Sequence, residues 1–357
     1  MDRPNANSGD GDSPGNLAVG SVGVVDAVTV AGEPRPVEKP KQKDFVGRSP
    51  GQLAWIRLKR DRTGMISFYV LVAVFVIAIG APLIQWLYGG APEQGHSELL
   101  DLRGRPLGTA GGISGEHWLG LRPERGQDML LQLVFGIRTS LGIAVTAALI
   151  STAIGVVVGI TAGYARGWLD KVLSWFIDVM LAFPFFLFAL AIIPSVYLKL
   201  MDQYGAVAVW KKILVIIMIF VIFGWLYTAR IVRGQVISLR EREYVEAARA
   251  AGAGVGHILF KQILPNIWAP ILVTFSLGVP AIITAEAALA IFGIGISDGD
   301  GIADLGKLVA HSVRWIPNWE LVPGAAWLPG LTIFAIVLAF NLFGDSLRDA
   351  LDPKSQR

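Results

Sequence analysis

Six stretches of this chain are each long and apolar enough to cross a bilayer, and that restricts the fold more than any other feature. Spanning a hydrocarbon layer of ~30 Å at ~1.5 Å per residue takes about 20 mostly apolar residues. With no water to pair with, backbone amides and carbonyls must be satisfied within the segment, as a helix does. The stretches lie at about residues 66–88 ("ISFYVLVAVFVIAIGAPLIQWLY"), 139–165, 173–198, 213–233, 266–292 and 321–343. Pro184, Pro194, Pro280 and Pro329 fall inside them and are tolerable where neighbouring helices satisfy the freed carbonyls. With 53% hydrophobic and 17% charged residues over 357 positions, the chain is too apolar for an ordinary soluble domain. The expected class is an all-α membrane protein with six transmembrane helices.

Several functions are disfavoured at once. Cysteine is absent, so there is no disulfide framework, thiolate metal site or cysteine nucleophile. His96, His117, His257 and His311 lack ligand spacing, and structural or solvated roles are expected for them. The net charge of +3, without an aromatic-interleaved basic patch, gives no reason to expect a nucleic-acid partner. Residues 1–50, rich in Gly, Pro, Asp, Asn and Ser, read as a disordered tail rather than a signal peptide, since the first apolar run begins near Ile66. The remainder divides into 51–131 (basic segment, first span and an external loop), a five-helix core at 132–345 and a tail at 346–357.

Orientation follows from Lys and Arg near the span ends. Arg57, Lys59, Arg60 and Arg62 precede the first span and place the amino terminus inside. With six spans, segments 166–172 and 230–262 and the carboxyl terminus are then also cytoplasmic. They carry Arg166, Lys171, Arg230, Arg233, Arg240, Arg242, Arg249, Lys261 and Arg348. The protein is expected in the plasma or inner membrane, multi-pass, in contact with the lipid bilayer.

One inner loop is charged, helical and glycine-broken: "EYVEAARAAGAGVGHILFKQILPN", residues 243–266. Ser238 with Glu241 three residues on reads as a capping box, and Gly252 stands where a left-handed helix end is needed. These bounds predict a helix of about 13 residues, roughly 20 Å long and too short and charged to cross the bilayer. Tyr244, Ala247, Ala248 and Ala251 recur at helical spacing, with Arg242, Glu246 and Arg249 on the opposite side. A second amphipathic piece, "VGHILFKQI", leads to Leu264 and Pro265, where proline can open the fifth span without losing a hydrogen bond. Such an elbow suits docking into a pocket of a cytoplasmic partner; a well-capped solvated connector is the plainer alternative.

Glu246, Ala247 and Ala248, then Gly252, then Leu264–Pro265 resemble the EAA loop of ATP-binding-cassette importer permeases. Gln262 stands where that pattern wants isoleucine, with Ile263 adjacent. "HWLGLRPERGQDMLLQLVFGIRTSL" (117–141), "VRGQVISLREREYVEAARAAGA" (232–253), "AEAALAIFGIGI" (285–296) and "NLFGDSLRDALDP" (341–353) resemble the C-type permeases of dipeptide and oligopeptide importers over about residues 50–353. The resemblance implies a type I importer permease fold with a cytoplasmic coupling helix. It implies a homologous B-type permease as heterodimer partner, two cytoplasmic ATPases that bind ATP and magnesium, and an extracytoplasmic peptide-binding protein. Coupling is implied for Glu246, Ala247, Ala248 and Gly252, flanked by Tyr244, Arg249, Leu264 and Pro265, and no residue of this chain would be catalytic or hold a cofactor. The chain departs from the family's "WLGTDxxGRD" at Leu121, Arg122 and Gln127, and segment 194–212 is longer than the family norm; both lie on the expected outer side.

A pump needs an energy source. Gly301, Gly306 and Lys307 mimic the start of a phosphate-binding loop, but Leu308 stands where a magnesium-binding Ser or Thr is required. An ion-driven secondary transporter is the alternative, with Asp178 and Glu286 as intramembrane acids. A structural role is favoured for both, and no inverted repeat supports the alternative. A membrane-embedded enzyme would need converging acid–base groups that the sequence does not display. The cargo is not legible, with peptides, nickel complexes and glutathione all compatible.

Overall fold

The computed structural model describes residues 50–352, so the tail expected over 1–50 lies outside them except for Pro50, as do residues 353–357. The described residues form helices α1 (Pro50–Arg60), α2 (Arg62–Tyr88), α3 (Met129–Tyr164), α4 (Trp168–Ala182), α5 (Phe185–Leu200), α6 (Val209–Leu239) and α7 (Glu243–Ala250). A single turn, α8 (Val255–His257), runs through a π-helical stretch, Ile258–Ile263, towards α9 (Trp268–Ile291), followed by α10 (Leu305–Trp315) and α11 (Pro323–Leu351). Helices α2, α3, α6, α9 and α11 are each long and apolar enough to span a bilayer.

The expected third span is not one helix. α4 and α5 are bent by 81° at Phe183–Pro184. Proline disfavours helical backbone at the residue before it, and Phe183 is extended at φ −72°, ψ 129°. The broken pair still crosses. At one end, Asp170 of α4 accepts from Arg233 Nε of α6 at 2.7 Å; at the other, Tyr197 of α5 donates to the Lys212 carbonyl of α6 at 3.5 Å. Lys212 and Arg233 are separated by about 32 Å of helix at ~1.5 Å per residue, the thickness of a hydrocarbon core. Six crossings leave Pro50 and Leu351 at the same end. Arg57 Nη1 accordingly donates to the carbonyls of Ala350 (3.3 Å) and Asp352 (2.8 Å) at the end of α11.

Several helices outrun their apolar stretches because polar groups support the extra turns. α3 begins ten residues before the expected 139, at Met129. Asp128 caps it by accepting the Leu131 amide at 3.0 Å, and His117 Nδ1 and the Tyr88 hydroxyl each hold the same carboxylate at 2.8 Å. α11 continues to Leu351, so residues 346–351, expected in a tail, are helical.

The most extensive helix contact is between α3 and α6. Gly155, Gly159 and Gly163 recur every four residues on one face of α3. A Cβ on Gly159 would lie 2.7 Å from the Ala229 carbonyl oxygen and 2.7 Å from Val232 Cβ; on Gly163 it would lie 2.7 Å from Val236 Cβ. Only glycine permits this approach, the small-xxx-small mode of packing in lipid. A large apolar core joins α2, α3, α5, α6, α9, α10 and α11, and a second, smaller one lies at the elbow end.

Candidate functional site

The elbow is built on that smaller core. Val245 of α7 is fully buried and packs in one cluster with Ile258, Ile263, Ile267 and Ile271 of the return path and with Ile160, Val232 and Val236 of α3 and α6. At the same end, Arg240 Nη1 donates to the carbonyls of Gly163 (2.8 Å) and Ala165 (3.2 Å), satisfying the open end of α3. The elbow is therefore seated on the α3–α6 pair rather than hung from it by a flexible tether.

α7 is shorter than the sequence predicts. Ser238 lies inside α6, which runs to Leu239, and the N-cap of α7 is Arg242, with no side-chain cap bond. The capping-box signal fails because α6 continues through Ser238, and the chain then turns at Arg240–Glu241 before α7 begins. Glu243 and Glu246 in the first turn and Arg249 in the last suit the helix dipole instead. The other end is as expected. Gly252 has φ +83°, its amide donates to the Arg249 carbonyl (3.0 Å), and the Ala253 amide donates to the Ala248 carbonyl (3.0 Å). These two bonds make a Schellman stop.

Tyr244, Glu246, Ala247 and Arg249 of α7 are exposed, as is Gly252 just beyond it, and Ala248 is half-buried; Arg242, Glu243, Ala250 and Ala251 are exposed alongside them. Leu264 is half-buried and Pro265 exposed, in a separate 3-10 turn (Leu264–Asn266) before α9 rather than in α9 itself. Sequence reasoning missed the anchors, Val245 and Arg240. The signal for Val245 was present, since an apolar β-branched residue inside a charged eight-residue helix has to bury its face somewhere.

At the opposite end, loop 89–128 and the segment before α10 are clasped by charges. Arg122, 2% exposed, donates to Asp298 Oδ1 (2.6 Å) and to Gln127 Oε1 (2.9 Å), and His311 Nε2 meets Asp298 Oδ2 at 2.6 Å. Gln127 donates in turn to Glu93 (2.6 Å). The departures at Arg122 and Gln127 thus form one set, with Leu121 buried beside them. Burial alone would raise the Asp298 carboxyl, but the His311 bond and the Arg122 guanidinium outweigh it and hold the group well below the usual carboxylate range. The Gly301–Lys307 stretch is no phosphate cradle: Lys307 is buried, with its Nζ donating to the Ile302 carbonyl (2.6 Å) and 3.6 Å from Glu93. Of the intramembrane acids, Asp178 pairs with Arg230, both more than half exposed. Glu286 is buried beside Asp304, where the two line a small cavity.

Residues 155–357 match the family described as the binding-protein-dependent transport system inner membrane component, and residues 49–93 match the N-terminal TM domain of oligopeptide transport permease C. The dipeptide transport system permease protein DppC of Alkalihalophilus pseudofirmus is 36% identical over 324 residues, 90% of this chain and 95% of that protein. The oligopeptide transport system permease protein OppC of Mycobacterium tuberculosis is 33% identical over 84% of this chain and 93% of that protein. The glutathione transport system permease protein GsiD of Pectobacterium atrosepticum is 35% identical over 88% and 95%. A solved structure titled as inward facing conformations of the MetNI methionine ABC transporter aligns with TM-score 0.49 and 18% identity, covering 63% of this chain and 98% of that one. The family rests on the sequence matches: with more than half the chain inside the family model and relatives aligned over nearly their whole length, this chain belongs to the binding-protein-dependent transport system inner membrane components, as a multi-pass permease.

Proposed function

We propose that this chain is the C-type permease subunit of an ATP-binding-cassette importer for dipeptides or oligopeptides. The observation that carries the reading is the elbow: α7 is fixed to the α3–α6 pair through Val245 and Arg240 while Tyr244, Glu246, Ala247, Arg249 and Gly252 face outward. A rigid outward helix transmits displacement, whereas a solvated connector would absorb it. The basic excess near Arg57, Arg233, Arg240 and Arg348 supports placing the elbow end and both described termini in the cytoplasm. The partners are then a homologous B-type permease completing the path, two cytoplasmic ATPases holding ATP and magnesium, and an extracytoplasmic peptide-binding protein. Residues 51–131 supply the first crossing and the outer loop, residues 132–345 the five-crossing core, and no residue here performs catalysis.

In this scheme ATPase closure draws the elbows of the two permeases together and opens the path outward, and hydrolysis resets it. The elbow can drive that change only if its position has different energies in the two states. The test is co-purification and uptake with Glu246→Lys and Gly252→Pro. The first reverses a charge on the exposed face. The second forces φ to about −65° where +83° is needed and removes the amide that bonds Arg249. Loss of dipeptide uptake together with weakened ATPase retention is the expected result; survival of both functions in both variants refutes the docking role.

A further inference from the structure

At the loop end of the bundle, α3 carries a cation with no ion-pair partner among the described residues. Arg138 lies about 14 Å along α3 from Met129 at ~1.5 Å per residue, and its side chain is exposed. Among the described residues, ion pairs engage Arg122, Arg125, Arg230, Arg233 and Arg240, but not Arg138. Gly142 and Thr146 follow it at helical spacing, both exposed, whereas Ser140, Leu141 and Ala144 between them are buried. Further along the helix the exposed positions turn apolar: Leu149, Ile150 and Val157. The polar part of the stripe is therefore local to Arg138.

That part opens on a cavity of about 590 Å³, lined by Arg138, Thr139, Gly142, Thr146, Ile217 and Ile302 among others. The size is that of small-molecule sites. A Cβ on Gly142 would meet nothing, so a ligand backbone can lie against the helix there. The cavity wall contains no acid. The acids nearest in sequence to its loop walls are engaged elsewhere, Glu93 with Gln127 at 2.6 Å, Asp300 with Lys212 at 2.8 Å and Asp304 with the Ser140 hydroxyl at 2.7 Å. The site is electropositive, built around a guanidinium whose planar fork matches a carboxylate. Arg138 stands one residue before the apolar stretch expected from 139, at the edge of the hydrocarbon, where its guanidinium can meet water or a ligand.

We propose that Arg138 receives the carboxylate of the peptide cargo at the entrance to the path, with the Thr146 hydroxyl, about 12 Å further along α3, available to the rest of the peptide. This rests on the peptide-importer reading above. Every free peptide ends in a carboxylate, so the contact would tolerate varied side chains while requiring the common anionic group. Lining residues Ile213 and Ile217 supply apolar contact for side chains without selecting among them.

The test uses the complete importer with its binding protein in proteoliposomes, comparing wild type with Arg138→Gln and Arg138→Lys. Uptake of radiolabelled dialanine and ATP hydrolysis stimulated by the loaded binding protein are measured on the same vesicles. Arg138→Gln should lower the maximal uptake rate by about tenfold or more, as expected for loss of a charge-assisted bidentate contact. Arg138→Lys should recover part of it, and stimulated hydrolysis and subunit stoichiometry should hold at wild-type values. Wild-type uptake by Arg138→Gln overturns the assignment. So does loss of the partner permease from the purified Arg138→Gln complex, which would place the cation in a subunit interface. A wild-type assembly that hydrolyses ATP in response to its binding protein yet takes up neither dialanine nor a longer peptide overturns the peptide reading itself, and that arm is run before either variant.

Discussion

Asp298 is the residue on which the loop end turns, because one carboxylate holds both Arg122 and His311. Asp298→Asn leaves the 2%-exposed Arg122 without a charged partner. The cost should be about 2–4 kcal/mol, since truncating one side of a buried pair strands the other. Thermal unfolding of the detergent-solubilised protein reads this directly, and an unchanged midpoint would show that the clasp is decorative. The pH dependence has a definite sign. A carboxyl held below its unfolded value contributes stability that is complete above the ordinary carboxylate range and is lost as pH falls through the lowered value. The clasp should therefore weaken only in strong acid. Arg122 and Gln127 stood out in the sequence as departures from the family pattern, but Asp298, the charged partner of Arg122 and 176 residues away from it, could not be read from spacing. Long-range charge pairing has no local signature.

Among the elements, α3 and α6 set the position of the elbow, and their contact depends on glycine. Gly159→Val should force the pair apart, at about 1–3 kcal/mol for overpacking, and reduce the fraction recovered as a monodisperse complex in size-exclusion chromatography. Val245→Ala removes the elbow's anchor instead. It should cost about 2 kcal/mol of local stability and raise amide hydrogen exchange across α7 while leaving α9 protected. The six apolar stretches were legible because hydrophobic length is a one-dimensional property. The Gly155–Gly159–Gly163 spacing was equally open to reading as a packing face. The helix ends were not: α3 gains its first turns from Asp128, His117 and Tyr88, and α6 runs past Ser238 because its last turns pack on α3. Capping signals compete with tertiary contacts, and at Ser238 the contacts prevailed. Of the candidate site, exposed α7 and its glycine stop were visible in sequence, while the cluster beneath it was assembled from three distant segments.

For the whole molecule, the two ends of the bundle should differ in how they respond to pH. Asp304 caps α10 by accepting the Lys307 amide at 2.9 Å and receives the Ser140 hydroxyl, tying α10 to α3. Burial pushes its carboxyl up, against the opposing pull of Ser140 and the Lys307 amide. A raised carboxyl favours the protonated folded form, so this group's contribution is present at low pH and is lost as pH rises through the raised value. Asp304→Asn should flatten that decline in a series of melting curves from acid to alkaline buffer, and a slope unchanged from wild type would assign the pH response elsewhere. Among the described residues the elbow end has no such buried acid in its core. It holds instead the Arg57 bonds that bring the last turn of α1 against the last carbonyls of α11. Halves of a split fluorescent protein fused before Pro50 and after Asp352 would thus be neighbours within one copy, and should light up at any expression level without waiting for a second molecule.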